Sequence, residues 1–169
     1  MNESILAIVI SSFAFLVAII TFFLVKSKRD IPPPPNDNFS SKPLQLQAYE
    51  RIAMLAERIA IPNLISRVGQ QVQLSTREMQ LLLLENIKQE YEYNASQQIY
   101  VTQPVWDAVK NLKDQNMLII NQMAATLPED ARGIDLNRRL LEFCMNQPIG
   151  QLHSVVLEAL NYEAKKLML

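Results

Sequence analysis

The chain has 169 residues and a formal net charge of −1, a size that allows one domain with an appendage rather than two full domains. The near-neutral balance leaves no electrostatic footprint for nucleic acid, so we expect no nucleic-acid partner. Three scattered glycines exclude a glycine-rich phosphate loop. The single cysteine, Cys144, excludes an intramolecular disulfide and fits a reducing compartment.

The first predicted element is an uncharged apolar segment, residues 5–25. As a helix it spans roughly 30 Å, the thickness of a bilayer's hydrocarbon core. A cleaved signal peptide is one alternative, but residues 1–4 contain no Lys or Arg and residues 20–25 offer no small-residue cleavage site. A buried core helix is the other alternative, and the segment is too long and too uniformly apolar for one. We therefore expect a transmembrane anchor over residues 1–25.

The flanks of this segment predict its orientation. Lys26, Lys28 and Arg29 follow it directly, whereas the preceding tail carries only Glu3. Because positive flanks stay on the cytoplasmic side, we expect a single-pass protein with its N-terminus outside and its C-terminal domain in the cytoplasm.

Small residues form one stripe along the predicted transmembrane helix. Their spacing alternates between three and four residues, and the stripe consists of Ser4, Ala7, Ser11, Ala14, Ala18 and Thr21. Small side chains let helices approach closely in lipid, where no hydrophobic effect drives them together. The stripe predicts packing against a second copy or against a partner's membrane helix. Chance is the alternative, since Ala and Ser are common in such helices.

A proline-rich linker follows at residues 26–43. The four prolines at positions 32–35 favour polyproline II geometry, which extends by about 3.1 Å per residue. We interpret the segment as a spacer with a short stiff part and flexible ends. Docking of the proline tract on a recognition module is the alternative.

Residues 44–169 predict an all-α cytoplasmic domain, a bundle of about five helices. The first helix ends before Pro62, which begins a short helix over residues 62–68. Ser75 and Glu78 form a capping box for a helix that runs to about residue 95. Thr102 is the predicted N-cap of the next helix, which Pro128 ends. Two further amphipathic helices follow, over residues 134–144 and from residue 149 onward.

The helix after the capping box is predicted to be central, because four consecutive leucines at residues 81–84 cover more than one face. Its expected inner face consists of Leu81, Leu83, Leu84, Ile87 and Tyr91.

Few side chains offer chemistry. His153 is interpreted as a satisfied, partly buried histidine, and Cys144 as a small core residue. The carboxylates Glu85, Glu90 and Glu92 fit a charged outer face better than an acid–base pair, and Asp135 is expected to pair with Arg139. We expect no catalytic residue, no cofactor and no metal site.

The segment YEYNASQQIYVTQPVW at residues 91–106, followed by DAVKNLK at residues 107–113, resembles a family of uncharacterised single-pass membrane proteins of Bacteroidota, a domain of unknown function. The order of apolar helix, proline-containing spacer and helical domain is similar as well. The resemblance implies a bacterial inner-membrane location, and it implies no activity.

The polar loop within this segment has two interpretations. Its Asn, Ser and Gln side chains could cap the two flanking helices and bond the loop backbone. Alternatively, Gln97, Gln98, Tyr100 and Trp106 form a contact surface for a partner.

By elimination, we expect a non-enzymatic, membrane-anchored interaction or scaffold protein whose partners are the membrane and a protein or second copy bound through the transmembrane helix. A membrane-tethered enzyme that uses carboxylates on a lipid or envelope precursor is the alternative. A subunit of a transport or secretion complex is a third possibility.

Overall fold

A computed structural model describes residues 40–68, 73–146 and 152–169. The predicted transmembrane helix with its small-residue stripe, and the linker up to residue 39, lie outside the described residues. Among the residues described, no helix is long and apolar enough to cross a membrane. Contacts between Cα atoms set Ser40–Leu169 apart as one compact unit.

The all-α prediction is confirmed for this unit, which holds six α-helices in its described part where about five were expected. They are α1 (Lys42–Ile59), α2 (Ile61–Val68), α3 (Thr76–Asn94), α4 (Gln103–Ala125), α5 (Gly133–Asn146) and α6 (Leu152–Met168), with a 3-10 helix at Ala95–Ile99 between α3 and α4.

Helix α1 begins earlier than the sequence predicts, and it ends before Pro62 as predicted. It starts at Lys42, two residues before the expected start, because a proline such as Pro43 fits the first turn, where its missing N–H costs no hydrogen bond. The chain leaves helical geometry at Ala60, with ψ of 128°, and α2 follows at once. The carbonyl of Ile59 at this break accepts a 2.8 Å hydrogen bond from the buried Asn116 side chain of α4.

The predicted capping box at the start of α3 is confirmed. The Ser75 hydroxyl accepts a hydrogen bond from the Glu78 N–H at 3.3 Å, and the Glu78 carboxylate accepts one from the Ser75 N–H at 2.9 Å. Thr102 is the N-cap of α4 as predicted, but its side chain makes no capping bond. Instead its N–H donates to the Tyr49 hydroxyl of α1 at 3.2 Å.

Helix α3 is central, since it contacts α1, α2, α4 and α5. Its buried apolar residues are Met79, Leu83 and Ile87, which recur every four positions. The prediction that Leu81 lies on the inner face is wrong, because its side chain is 49% exposed. Two residues along a helix rotate a side chain by about 200°, so burial of Met79 turns Leu81 outward.

The bundle has two distinct ends. Helices α3 and α4 run antiparallel, since Gln80 contacts Asn121 near one end and Tyr91 contacts Trp106 near the other. Helix α6 runs antiparallel to α1, since His153 near the start of α6 contacts Glu57 near the end of α1. We call residues 40–49, 95–104 and 162–168 the proximal end, because the chain enters the unit there. Residues 73–76 and 126–135 form the distal end.

Candidate interaction surface at the proximal end

The loop that the sequence analysis offered to a partner lies at the proximal end. Its first part is the 3-10 helix, in which Gln97 is partly buried and Gln98 is exposed. Tyr100 follows and is 37% exposed. Ile99, which was not among the residues predicted from the sequence, is the most exposed apolar residue of the loop at 73%. The available signal was the short apolar run at residues 99–101, which Ile99 begins, within a polar segment.

Trp106 does not share this surface, because its side chain is only 6% exposed. Its ring packs against Tyr91 of α3, with the ring centroids 5.2 Å apart. The amphipathic pattern of α4 explains this placement, since Val105, Trp106 and Val109 turn into the core together. Burial also raises the pKa of the Tyr91 hydroxyl. Trp106 is therefore a core residue and cannot present its ring to a partner.

Hydrogen bonds in the loop are mainly local. The Tyr100 N–H donates to the Gln97 carbonyl at 3.0 Å, and the buried Asn94 side chain donates to the Glu90 carbonyl at 2.9 Å. These bonds match the interpretation in which polar side chains and turns satisfy the backbone. The side chains of Gln98 and Ile99 nevertheless remain exposed, so the contact surface stays a prediction.

A groove of about 720 Å³ lies beside the loop, between α1 and the last turns of α3. Two exposed apolar side chains line it, Met54 at 61% and Tyr93 at 74%. The Arg51 guanidinium lies over the Tyr93 ring, 5.4 Å from its centroid. Its other lining residues are polar or charged: Glu50, Arg58, Gln89, Glu90 and Asn94.

Glu90 is the carboxylate in this groove that the sequence analysis considered for catalysis. Its Oε1 lies 2.6 Å from Arg58 Nη2 and 3.0 Å from Arg67 Nη1, and its side chain is 15% exposed. The hydrogen bond with Glu90 raises the pKa of Arg58. The pair of guanidiniums ties α1 and α2 to α3 through this carboxylate. Glu90 is thus an inter-helix ion pair rather than part of a free outer face, whereas Glu85 and Glu92 are exposed.

The predicted pair between Asp135 and Arg139 is wrong. The Asp135 carboxylate accepts a 3.0 Å hydrogen bond from the Arg132 N–H, so it turns back toward the start of α5. There it lies 3.7 Å from the Arg138 guanidinium, while Arg139 lies 3.8 Å from Glu142. Satisfying a free backbone N–H at the helix start explains why the side chain does not reach one turn forward.

The two remaining candidates for chemistry are His153 and Cys144. His153 is 25% exposed, so it is partly buried as predicted. The prediction that it is satisfied is wrong for its Nε2, which lies 3.2 Å from Glu57 Oε2 without the geometry of a hydrogen bond. Cys144 is partly buried, and burial raises the pKa of its thiol, which favours the protonated, less nucleophilic form. Within the residues that the structure describes, no three His, Cys, Asp or Glu side chains are grouped to hold a metal ion.

Fold and surface together define an all-α domain with an apolar core, an ion pair between helices at Glu90, and a loop that exposes Ile99 and Tyr100. The chain belongs to a family of unknown function (DUF7935), whose model matches residues 2–167. The match spans the apolar N-terminal segment, the linker and the bundle. Comparisons with curated proteins and with solved structures found nothing similar.

Proposed function

We propose that the protein is a non-enzymatic interaction or scaffold protein, anchored by one transmembrane helix in a bacterial inner membrane with its helical domain in the cytoplasm. The observation that carries the proposal is the uncharged segment at residues 5–25, followed by Lys26, Lys28 and Arg29. The family match supports it, since one family includes both this segment and the bundle. The resemblance to membrane proteins of Bacteroidota supports the location.

The small-residue stripe is the proposed means of assembly. Ser4, Ala7, Ser11, Ala14, Ala18 and Thr21 would let a second copy or a partner's membrane helix approach closely. The linker and bundle would then be held beside that assembly on the cytoplasmic side.

Extraction of the full chain from its own membranes tests this assembly. The particle mass in mild detergent, and the identity of every co-purifying chain, should reveal a defined complex. The variant Ser11→Ile should dissociate that complex, because it places a bulky side chain on the stripe. Ser12→Ile is the matched control, since Ser12 is a small residue off the stripe. A lone monomer, even after gentle cross-linking, would contradict the scaffold proposal.

The loop offers a second proposed contact. We expect the triple variant Gln97→Ala, Gln98→Ala and Tyr100→Ala to lose a partner while its melting temperature stays unchanged. Loss of stability instead would assign these side chains to capping and loop structure alone.

The enzyme alternative has one observation in its favour, the groove beside Glu90. A carboxylate that donates or accepts a proton must lie within hydrogen-bond reach of a substrate, whereas the Glu90 Oε1 is held by Arg58 and Arg67. Glu85 and Asp135 do not line that groove. Glu90→Gln separates the two functions: a structural ion pair predicts lower stability, and catalysis predicts loss of turnover with stability retained.

A further inference from the structure

The proximal end presents five exposed large apolar side chains. Helix α1 presents Leu44 in its first turn, the loop presents Ile99 and Tyr100, and α6 presents Tyr162 and Met168 in its last two turns. Their exposed fractions range from 37% for Leu44 to 73% for Ile99. At the distal end, Ile134 is the large apolar residue with comparable exposure among the described residues.

Charge separates the two ends as well. The proximal end carries three lysines, Lys42, Lys165 and Lys166, and one acidic residue, Glu163, which lies 3.3 Å from Lys166. The hydrogen bond with Glu163 raises the pKa of Lys166, which stays cationic. The distal end carries three acidic residues, Glu129, Asp130 and Asp135, and one basic residue, Arg132. The proximal end is therefore both apolar and net positive, whereas the distal end is net negative.

The tip of the proximal end is formed by α1 and α6 together. Tyr49 of α1 lies level with the start of α4, since its hydroxyl accepts the hydrogen bond from Thr102. Lys42 lies seven residues earlier, so α1 extends about 10 Å beyond that level. Because α6 runs antiparallel along α1, its last turns lie beside this extension.

We propose that this tip rests on the headgroup region of an anionic bilayer, with Leu44 and Met168 inserted between headgroups and the lysines bound to lipid phosphates. The proposal rests on the membrane anchor proposed above. A surface that combines exposed apolar side chains with lysines binds the interface through apolar burial and attraction to anionic lipid. Lysine and tyrosine side chains suit this position because each has an apolar body and a polar tip.

Tethering makes so small a surface sufficient. Three lysines are too few to recruit a free domain, since recognisable lipid-binding clusters usually hold about four to eight basic residues. A domain joined to the membrane by a short linker meets the surface at an effective concentration in the millimolar range. The described unit begins at residue 40, and the predicted span ends at residue 25, so the intervening chain is short.

Single fluorescent labels on the full chain test the proposal. Cys144→Ala removes the native thiol, and Leu44→Cys, Met168→Cys or Asp130→Cys then places one environment-sensitive dye at the tip or at the distal control position. The labelled chains are reconstituted in neutral vesicles of phosphatidylcholine or in anionic vesicles that also contain about 30% phosphatidylglycerol. The negative surface of the second type attracts nearby lysines.

We expect the dye emission from positions 44 and 168 to lie at shorter wavelength in the anionic vesicles than in vesicles of phosphatidylcholine alone. The emission from position 130 should be the same in both. Replacing Lys42, Lys165 and Lys166 by Gln should lower the ratio of docked to free domain by about a hundredfold, because each lysine near an anionic surface contributes about fivefold. Circular dichroism of that variant checks its fold. Salt should weaken docking in the unmodified chain.

Other outcomes overturn the proposal in distinguishable ways. If the chain floats with the vesicles but all three dyes report water, the tip does not dock while the anchor stands. If the dyes at positions 44 and 168 are buried in a lipid-free complex with a co-purifying chain, the tip binds protein instead of lipid. If the chain does not float with vesicles at all, the proposed anchor fails and this proposal fails with it.

Discussion

The two ends of the bundle are built in different ways. At the distal end, backbone groups join segments that are distant in sequence: the Gly133 N–H donates to the Leu74 carbonyl at 2.7 Å, and the Thr76 N–H donates to the Ala131 carbonyl at 3.3 Å. The capping box adds two more bonds there. At the proximal end, the bond between Thr102 and Tyr49 joins α4 to α1, and apolar side chains face solvent.

Because of this difference, we expect the distal end to contribute mainly to stability and the proximal end mainly to binding. A backbone bond across two segments restricts what can change there, because an unpaired buried N–H or carbonyl is costly. An exposed apolar group contributes little to folding and remains available for a partner or a lipid surface. We therefore expect stability to be sensitive to substitutions at the distal end and in the core, and binding to be sensitive to exposed substitutions at the proximal end.

The largest expected effect contrasts two residues close together in sequence. Trp106→Ala should lower the free energy of unfolding by about 3–5 kcal/mol, because a large buried ring is lost. Ile99→Ala should change it by no more than about 0.5 kcal/mol, since that side chain is mostly exposed. Chemical denaturation of the full chain in detergent micelles measures both. An equally large loss for Ile99→Ala would place the loop in the core and remove the contrast between the ends.

A substitution at Gly133 tests how tightly the distal end is packed. A Cβ there would lie 2.8 Å from the Met79 Cβ and 3.1 Å from the Leu74 carbonyl oxygen. Both neighbours are constrained, because Met79 is fully buried and the carbonyl accepts the Gly133 N–H. Gly133→Ala should cost about 1–3 kcal/mol by overpacking, measured by the same denaturation. Unchanged stability would show that the segment before α3 moves freely.

A matched pair of caps gives a smaller effect. Ser75→Ala should cost about 1 kcal/mol, because the Ser75 hydroxyl bonds the Glu78 N–H. Thr102→Ala should cost less than about 0.5 kcal/mol, since the Thr102 side chain makes no capping bond. Equal losses in thermal denaturation would mean that the caps at the two ends are equivalent.

The smallest expected effect is a change in acid stability. Hydrogen bonds from the Ser75 hydroxyl and N–H lower the pKa of Glu78 in the folded chain. The stabilisation is therefore fully present above the unfolded pKa of about 4.3, and is lost as pH falls through the lower folded value. Glu78→Gln should lose less stability between neutral and acidic pH than the unmodified chain. Parallel pH profiles for the two chains would contradict this assignment.

Local patterns in the sequence were sufficient for much of the fold. The three-to-four periodicity predicted helices, and the capping box, Thr102 and Pro128 marked helix ends close to where they lie, because each acts on the backbone within one or two turns. The distinction between proximal and distal ends was not available from such patterns. It depends on which helix ends meet, and no local rule specifies that.

The candidate surface was predicted only in part for the same reason. Gln98 and Tyr100 are exposed and Trp106 is buried, although all three lie in one ten-residue segment whose periodicity admits either placement.

The sequence by itself determined the uncharged apolar segment at residues 5–25, the proline-rich segment that follows it, most helices of the bundle and the residue types at the proximal end. Only the tertiary structure decided that Glu90 pairs with Arg58 and Arg67, residues 32 and 23 positions away. It also decided that α1 and α6 form one tip. Pairing and burial at these positions depend on contacts between distant helices, and a periodic pattern states that a face is apolar without stating what covers it.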